Sequence, residues 1–259
     1  MAESEDYNAE NEDYKRRGGE TEITGDDVTG DEGLLEIEIP AARYGDGKVA
    51  TAQDSDLIEG NIKKDVVIFG VTGTAEAATI HEGIFYPKVS GDDTWYHGGY
   101  FYGAEARLRV GYPYGTSLDH FSVRVPHIPI PAGATITEAF LRVTAESAGS
   151  GSGCNANCYF NAVDDADAPI SAAEFTALSL GNAIAWSNIA AWTANSKYDT
   201  PELKTILQAI IDRDGWATGQ ALQVIIRNNA STSNLYRTAH SIDYSSGAYC
   251  PELHIKWTE

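Results

Sequence analysis

A chain of 259 residues, 42% of them hydrophobic, is long enough to bury a substantial core. Its formal net charge of −20 repels phosphate backbones and anionic lipid surfaces, so we expect no nucleic-acid binding. No run approaches the roughly 18 apolar residues of a membrane span, and residues 1–17 lack the apolar stretch of a secretory signal, so we expect neither membrane insertion nor secretion by that route.

Residues 1–33 form an acidic, low-complexity segment in which apolar side chains are almost absent. Such a segment cannot bury enough surface to offset the entropy that it loses on ordering. We therefore expect residues 1–33 to be an extended arm that becomes ordered only against a partner surface. A solvated acidic tail is the alternative.

Residues 34–80 are predicted to form a small element rich in β-structure. Leu35, Ile37 and Ile39 alternate with glutamates, which is typical of a strand with one solvated face. The later stretch VVIFGVTGT (66–74) predicts a short buried strand that ends at a glycine turn.

From residue 83 to residue 259, apolar and polar residues alternate in short runs that are separated by turn clusters rich in Gly, Pro and Asp. The predicted strands are residues 84–89, 106–112, 120–128, 138–146, 157–163, 221–227 and 252–257. Short strands at this spacing are typical of an antiparallel β-sandwich or jelly roll. The expected fold class is therefore mostly β.

One amphipathic helix is predicted over about residues 201–213. Its apolar positions follow the i, i+3, i+4 spacing of one helix face: Leu203, Ile206, Leu207, Ile210 and Ile211. Asp199 or Thr200 is expected to cap this helix, with Pro201 at its first position. The apolar run at 221–227 predicts a strand that is covered on both faces, by this helix on one of them.

The three cysteines, Cys154, Cys158 and Cys250, are too few for a disulfide framework. We expect three free thiols, while a disulfide between Cys154 and Cys158, which share a Gly/Ser-rich loop, stays open. No histidine lies near these two residues in the sequence, so a zinc site has little support.

Carboxylates are clustered in the loop that contains Asp164, Asp165 and Asp167, and oxygen ligands of this kind suit Ca²⁺. The spacing does not match that of a known calcium loop, so a solvated acidic turn is the preferred interpretation. We expect no cofactor, with a structural calcium ion as the alternative.

The stretch WYHGGYFYG (95–103) is rich in aromatic residues and glycine, and Tyr112 and Tyr114 lie nearby. Exposed aromatic rings stack on sugars, which makes a glycan-binding site the functional interpretation. Its candidate residues are Trp95, Tyr96, Tyr100 and Tyr102. The preferred alternative is that these side chains alternate onto a core or an inter-subunit face.

No nucleophile motif or phosphate-binding loop is present, so we expect no catalysis. His240, Ser241 and Asp243 lie close together in the sequence. Neighbours on a strand point to opposite faces, whereas the members of a catalytic triad must converge.

Residues 47–74 resemble a short element of phage tail-fibre and related virion proteins. Here GKVATAQDSDLIEG (47–60) precedes NIKKDVVIFGVTGT (61–74), in which an Asn-Ile-Lys-Lys run, an apolar strand and Phe-Gly-Val-Thr-Gly-Thr follow in order. The resemblance implies that residues 1–80 attach to other virion proteins and join copies of the chain, most readily as a trimer.

Most of residues 83–257 is similar to the galactose-binding-like jelly-roll modules of the DNRLRE type, which occur in phage and bacterial surface proteins. The matching pieces include RLRVG (107–111), IPIPAGATITEAFLRV (128–143), NAVDDADAP (161–169) and PELHIKW (251–257). The sequence departs from the family at SVRVP (122–126), where an Arg-Phe pair is usual. The resemblance implies a β-sandwich and fixes no ligand.

These features predict a non-enzymatic structural protein of a tailed-phage virion that is assembled in the host cytoplasm. It would be a tail, fibre, collar or capsid-decoration component with a role in assembly and host adsorption. A module that binds host-surface glycans is the first alternative. A polysaccharide-degrading enzyme, which would need two carboxylates in a groove, is the second.

Overall fold

The computed structural model describes residues 28–31, 34–39, 48–53, 58–68, 71–115 and 117–259. The chain divides into two compact units, residues 1–78 and 79–259. The described part is mostly β, as predicted, with antiparallel strands and two short α-helices. Of the predicted acidic arm over residues 1–33, all but residues 28–31 lies outside the described part.

The first unit contains a three-stranded antiparallel sheet and a small hairpin. The sheet has the order β1 (Val28–Asp31), β2 (Leu34–Ile39) and β3 (Lys48–Gln53). A 3₁₀ turn at Glu59–Asn61 precedes the hairpin, which is formed by β4 (Val67–Ile68) and β5 (Val71–Thr72).

Backbone hydrogen bonds hold the hairpin against the segment before it. The Asp65 amide donates to the Gly73 carbonyl at 3.1 Å, and the Ala75 amide donates to the Ile62 carbonyl at 3.0 Å. A Cβ atom on Gly73 would lie only 2.3 Å from the carbonyl oxygens of Ile62 and Lys63, so the close approach requires glycine.

The hairpin leaves apolar side chains in solvent. Val66, Val67 and Ile68 are 41%, 60% and 41% exposed, whereas Ile62 and Val71 are buried. The buried strand predicted at residues 66–74 is therefore wrong for β4. The segment 58–75 is short. It buries Ile62 and Val71 but leaves Val66, Val67 and Ile68 exposed.

The second unit is a sandwich of two antiparallel sheets. The larger sheet contains β7 (Asp93–His97), β8 (Tyr100–Tyr102), β9 (Arg107–Tyr114), β10 (Ser117–Val125), β12 (Ala156–Phe160), β13 (Ile184–Trp186), β15 (Leu222–Asn228) and β16 (Leu235–His240). The smaller sheet contains β6 (Ile80–Phe85), β11 (Thr135–Thr144), β14 (Lys197–Asp199) and β17 (Glu252–Thr258).

The larger sheet has the order β13-β12-β15-β10-β7-β8, and β9 pairs with both β10 and β16. The smaller sheet has the order β14-β11-β17-β6. All seven predicted strands overlap an observed strand, six of them over most of their length. The seventh, predicted at residues 84–89, shares only Ile84 and Phe85 with the observed strand Ile80–Phe85. It lies earlier because pairing with β17 runs over that range and Pro87 has no amide to extend the ladder.

The core lies between the two sheets, where alternate residues of their strands meet. On β11, Ala139, Leu141 and Val143 are fully buried, and on β10 Phe121 and Val123 are buried opposite them in the same apolar cluster. This period-2 pattern is the one that predicted the strands.

Two helices flank the sheets: α1 (Ala172–Ala177) and α2 (Lys204–Ile211). The predicted apolar face of α2 is confirmed, since Ile206, Leu207, Ile210 and Ile211 are buried in the core. The helix begins at Lys204 rather than at Pro201. No helix in the described part of the chain has both the length and the apolarity to cross a membrane.

The late start of α2 has a tertiary cause. Asp199 belongs to β14, and the Thr200 hydroxyl accepts a hydrogen bond from the Leu141 amide of β11 at 3.0 Å. Glu202 accepts from the Lys204 amide at 2.9 Å and also from a β11 amide. The predicted cap at Asp199 or Thr200 is therefore wrong, because these residues bind the neighbouring strand.

Both faces of strand β15 are covered, as predicted. However, α2 does not by itself cover either face. On the face away from the core, Gln223 bonds to Asn161 at 2.9 Å and to Ser122 at 3.2 Å. On the same face, Arg227 donates to the Phe175 carbonyl of α1 at 3.2 Å. The segment that contains α1 therefore covers this face, while α2 packs into the core.

Arg237 is a fully buried cation at one end of the sandwich, only 1% exposed. It donates to the backbone carbonyls of Ser150, Gly151, Ile189, Ala190 and Tyr236. No carboxylate in the described ranges forms an ion pair with it. The N–H groups of its planar guanidinium therefore join two loops and the start of β16.

Candidate functional site

The β7–β8 hairpin places the four predicted sugar-binding residues in different surroundings. Trp95 is buried, and Tyr102 stacks on it with 4.3 Å between ring centroids. Tyr96 lies on the opposite face of the sheet and stacks on Phe175 at 5.6 Å. Of the four, Tyr100 is the most open, at 69% exposed.

Arg109 covers the second face of Trp95. Its guanidinium carbon lies 4.7 Å from the centre of the Trp95 ring and 5.4 Å from the centre of the Tyr236 ring. Tyr102, Trp95, Arg109 and Tyr236 therefore form a four-layer stack. Both faces of Trp95 are therefore occupied, so the preferred interpretation, that this side chain faces the core, holds for Trp95, and the sugar-stacking interpretation does not.

A glycine brings Arg109 and Tyr236 together. Gly111 pairs with Tyr236 in the β9–β16 register, and it has a φ of +122°. A Cβ atom on Gly111 would lie 2.5 Å from the Leu235 carbonyl oxygen and 2.7 Å from the Tyr236 Cα atom. The missing side chain allows β16 to approach β9, so Tyr236 reaches across to Arg109.

The buried carboxylate of Asp119 joins Arg109 to His97. One carboxylate oxygen lies 2.5 Å from His97 Nδ1, and the other pairs with Arg109 Nε. Burial raises the pKa of the Asp119 carboxyl above its usual value, against the opposing effects of the His97 hydrogen bond and the Arg109 charge. The Asp119 carboxylate therefore fixes the side chains of both His97 and Arg109.

Three partly open tyrosines surround these charged groups, and we call Tyr100, Tyr114 and Tyr236 the tyrosine rim. They are 69%, 57% and 38% exposed. The Tyr114 ring centroid lies 5.3 Å from that of His97. All three lie at strand ends on one end of the sandwich. Tyr100 begins β8 after the β7–β8 turn, Tyr114 ends β9, and Tyr236 lies near the start of β16.

Of these residues, sequence reasoning identified Tyr100, noted Tyr114 and included His97 in the stretch 95–103, but it missed Arg109, Asp119 and Tyr236. One signal was available for Asp119, which shares the period-2 positions of the core residues Phe121 and Val123 on β10. A carboxylate at a core-facing position needs a basic partner.

The carboxylates predicted as calcium ligands have separate roles. Asp164 forms an ion pair with Arg213 at 2.5 Å, and Asp165 accepts a hydrogen bond from the Ala221 amide at 2.8 Å. Asp167 lines an open surface groove beside α1. In the residues that the structure describes, no three His, Cys, Asp or Glu side chains converge as a metal site.

His240 and Ser241 are also separated in their contacts. The Ser241 hydroxyl donates to the Glu105 carbonyl, and the His240 ring stacks on Tyr244 with 3.7 Å between centroids. Asp243 contacts Ser241 through its backbone amide, at 3.1 Å from the hydroxyl oxygen.

Cys154, Cys158 and Cys250 are free and buried, so the disulfide left open for the first two is absent. Burial raises the pKa of each thiol, to about 12 for Cys158 and about 11 for Cys250.

The chain matches no model of a known protein family and none of the curated proteins compared with it.

Proposed function

We propose that this chain is a non-catalytic structural protein of a tailed-phage particle, assembled in the host cytoplasm. Residues 1–80 attach to other virion proteins and join copies of the chain, while the sandwich serves as its outward module. The observation that carries this proposal is the apolar surface of the β4–β5 hairpin. It lies within the part of the chain, residues 47–74, that resembles a virion element.

The hairpin surface is suited to contact between proteins. Val66, Val67 and Ile68 are at least 41% exposed, and Ile58, before the hairpin, is 43% exposed. Clustered apolar side chains in solvent favour a protein partner. The stretch 58–78 carries two lysines and three carboxylates, so the strong negative charge of the whole chain is not concentrated here.

A second copy of the chain is the partner that we favour, because most soluble oligomers are closed, symmetric assemblies of one chain. Native mass spectrometry of the purified chain tests this, with a trimer as the expected species. Val67→Asp should shift the chain to monomers. Val89→Asp is the matched control, since Val89 is 62% exposed in the other unit; it should leave the trimer intact.

A monomeric wild-type chain, or a trimer unchanged by Val67→Asp, would contradict the role of the hairpin. Labelling intact particles with an antibody against residues 79–259, viewed by electron microscopy, tests the virion assignment directly. Absence of label from every particle component would overturn it.

The acidic residues of the sandwich support a non-catalytic role over polysaccharide cleavage. Burial and the nearby Asp243 and Asp92 raise the pKa of Asp93 to about 7, a range that suits a general acid. However, Asp93 is 1% exposed, and one of its oxygens accepts a hydrogen bond from the Ile242 amide at 2.7 Å. A carboxyl so enclosed does not reach a glycosidic oxygen.

Binding of a host-surface glycan is the second candidate function, and the tyrosine rim is the observation that favours it. Open aromatic rings beside polar groups are the usual components of a sugar-binding surface. A pull-down of the full chain with isolated host polysaccharide tests this function. It is compatible with the structural role, because a virion component can also bind its host.

A further inference from the structure

We infer that the tyrosine rim binds a neutral sugar whose hydroxyl groups are held by Arg109 and His97. This inference rests on the second candidate function, glycan binding, and it specifies the chemical class of the ligand and the residues that select it.

Arg109 supplies fixed hydrogen-bond donors. Its Nε atom is enclosed and pairs with Asp119, and its plane is held between Trp95 and Tyr236. Within the described residues, no acceptor takes the hydrogens of its two Nη atoms. The Arg109 side chain keeps 13% of its surface exposed, and a guanidinium held in this way can offer two N–H groups to neighbouring hydroxyl oxygens.

His97 supplies a second polar group. Its Nδ1 atom lies 2.5 Å from an Asp119 oxygen, which fixes the ring and leaves Nε2 to form a hydrogen bond with a sugar hydroxyl. No hydrogen bond to that atom is found among the described residues, and the His97 side chain is 12% exposed. Because a sugar hydroxyl both donates and accepts, it can pair with this ring nitrogen as well as with the Arg109 N–H groups, and the Asp119 carboxylate holds both side chains in place.

The rim supplies apolar contact for the ring of the sugar. Tyr114 lies against His97, and Tyr236 lies against Arg109, so each open ring adjoins one of the two polar groups. A pyranose presents C–H groups on one face and hydroxyls at its edge. It would therefore contact a tyrosine ring and a polar group together.

Charge selects a neutral sugar over an acidic one. Asp119 offsets the positive charge of Arg109, so the site has no excess cation for a carboxylate or sulfate group. The chain as a whole carries a net charge of −20, which repels anionic polysaccharides.

An array of immobilised neutral oligosaccharides, with matched uronic-acid versions, tests the inference on the full chain. The wild type should bind at least one neutral glycan and should bind its acidic counterpart more weakly. Tyr114→Ala and Tyr236→Ala should each weaken binding about tenfold or more. Tyr249→Ala is the matched control, because Tyr249 is 38% exposed, as Tyr236 is, but lies near Cys250 in a different loop; it should bind as the wild type does.

Melting temperatures of the variants check that the rim substitutions leave the sandwich folded, and Tyr100→Ala, at the most open rim position, provides a further variant. Stronger binding of acidic glycans, equal loss in Tyr249→Ala, or undiminished binding in all rim variants would overturn the inference. If the wild type binds host polysaccharide but the rim variants bind it equally well, glycan binding stands and this site is wrong. If it binds no glycan, both fail.

Discussion

The Arg109 guanidinium carbon lies 4.7 Å from the centre of the Trp95 ring, so a cation forms part of the packing at the end of the sandwich. The same guanidinium pairs with the buried carboxylate of Asp119. Aromatic packing and charge pairing therefore depend on one side chain, and its removal affects both.

Arg109→Met should lower the free energy of unfolding by about 3–5 kcal/mol, because it leaves Asp119 buried with a single basic neighbour. Denaturant unfolding followed by tryptophan fluorescence measures the loss. Arg107→Met is the control two residues away, where the side chain is 47% exposed and pairs with Glu146; it should cost less than about 1 kcal/mol. Adding Asp119→Asn to Arg109→Met should recover part of the loss, and no recovery would contradict the charge argument.

Gly111→Ala should cost roughly 3 kcal/mol or more, because its Cβ atom would collide with the β16 backbone at a positive φ. Gly115→Ala separates the cost of the collision from the cost of the positive φ. Gly115 also has a positive φ, of +64°, but a Cβ atom there meets open space, so about 1 kcal/mol is expected. Equal losses in the two variants, measured by thermal unfolding, would show that the close approach of β9 and β16 is unimportant.

Asp93 should make the sandwich less stable as the pH rises. Burial, with the charges of Asp243 and Asp92, raises its pKa to about 7, whereas an unfolded aspartate titrates near 4. Its contribution to stability is therefore fully present below about pH 4 and is lost as the pH rises through 7. Each unit of pKa shift corresponds to about 1.4 kcal/mol.

Comparison with Asp93→Asn isolates this effect from other titrating groups. The asparagine keeps an oxygen for the Ile242 amide but does not ionise. The free energy of unfolding of the wild type, relative to the variant, should fall between pH 4 and pH 8 in denaturant titrations. A difference that stays constant across this range would be incompatible with the raised pKa.

Arg237→Lys should destabilise the second unit by about 3 kcal/mol or more. An ammonium group cannot reach five backbone carbonyls at once, and each buried acceptor left unpaired costs about 1–3 kcal/mol. Arg142→Lys is the control, since Arg142 forms an exposed two-pronged pair with Asp199 at 2.6 and 2.8 Å; a change within about 1 kcal/mol is expected there. Similar melting temperatures for both variants would argue against Arg237 as the link between its loops.

Gly73→Ala should disrupt the segment 58–75, because the added Cβ atom would lie 2.3 Å from two carbonyl oxygens. Hydrogen exchange at the amides of Asp65 and Ala75, which donate within this segment, provides the readout and should become faster. Gly60→Ala places its Cβ atom in open space and should leave exchange unchanged. Protection retained in Gly73→Ala would contradict the close packing described for the hairpin.

The sequence predicted most of the sandwich, because one buried face per sheet imposes a period of two on strands such as β11. It also predicted the apolar face of α2, whose residues follow a local helical spacing. The start of α2 depends on a distant strand: Thr200 and Glu202 bind β11, which precedes them by about sixty residues in the chain. Local rules for helix caps contain no information about such a partner.

The candidate site was predicted only in part for the same reason. Tyr100 and Trp95 are neighbours in the sequence, and both were noticed as aromatic. Arg109 and Tyr236 meet only because β9 pairs with β16, a strand more than a hundred residues away. Arg109 also covers the Trp95 ring from another strand, so the exposure of Trp95 could not be derived from the composition of residues 95–103.

The enclosed sulfurs of Cys154, Cys158 and Cys250 make the native chain a poor target for alkylating reagents, because the thiolate is the reactive form and packing disfavours it. Each sulfur that becomes labelled must therefore report an opening of the fold. The rate of labelling at mildly alkaline pH would measure how often the sandwich opens, without any engineered cysteine. Once outside the reducing interior of a cell, copies that stay closed would also resist cross-linking to one another through their sulfurs.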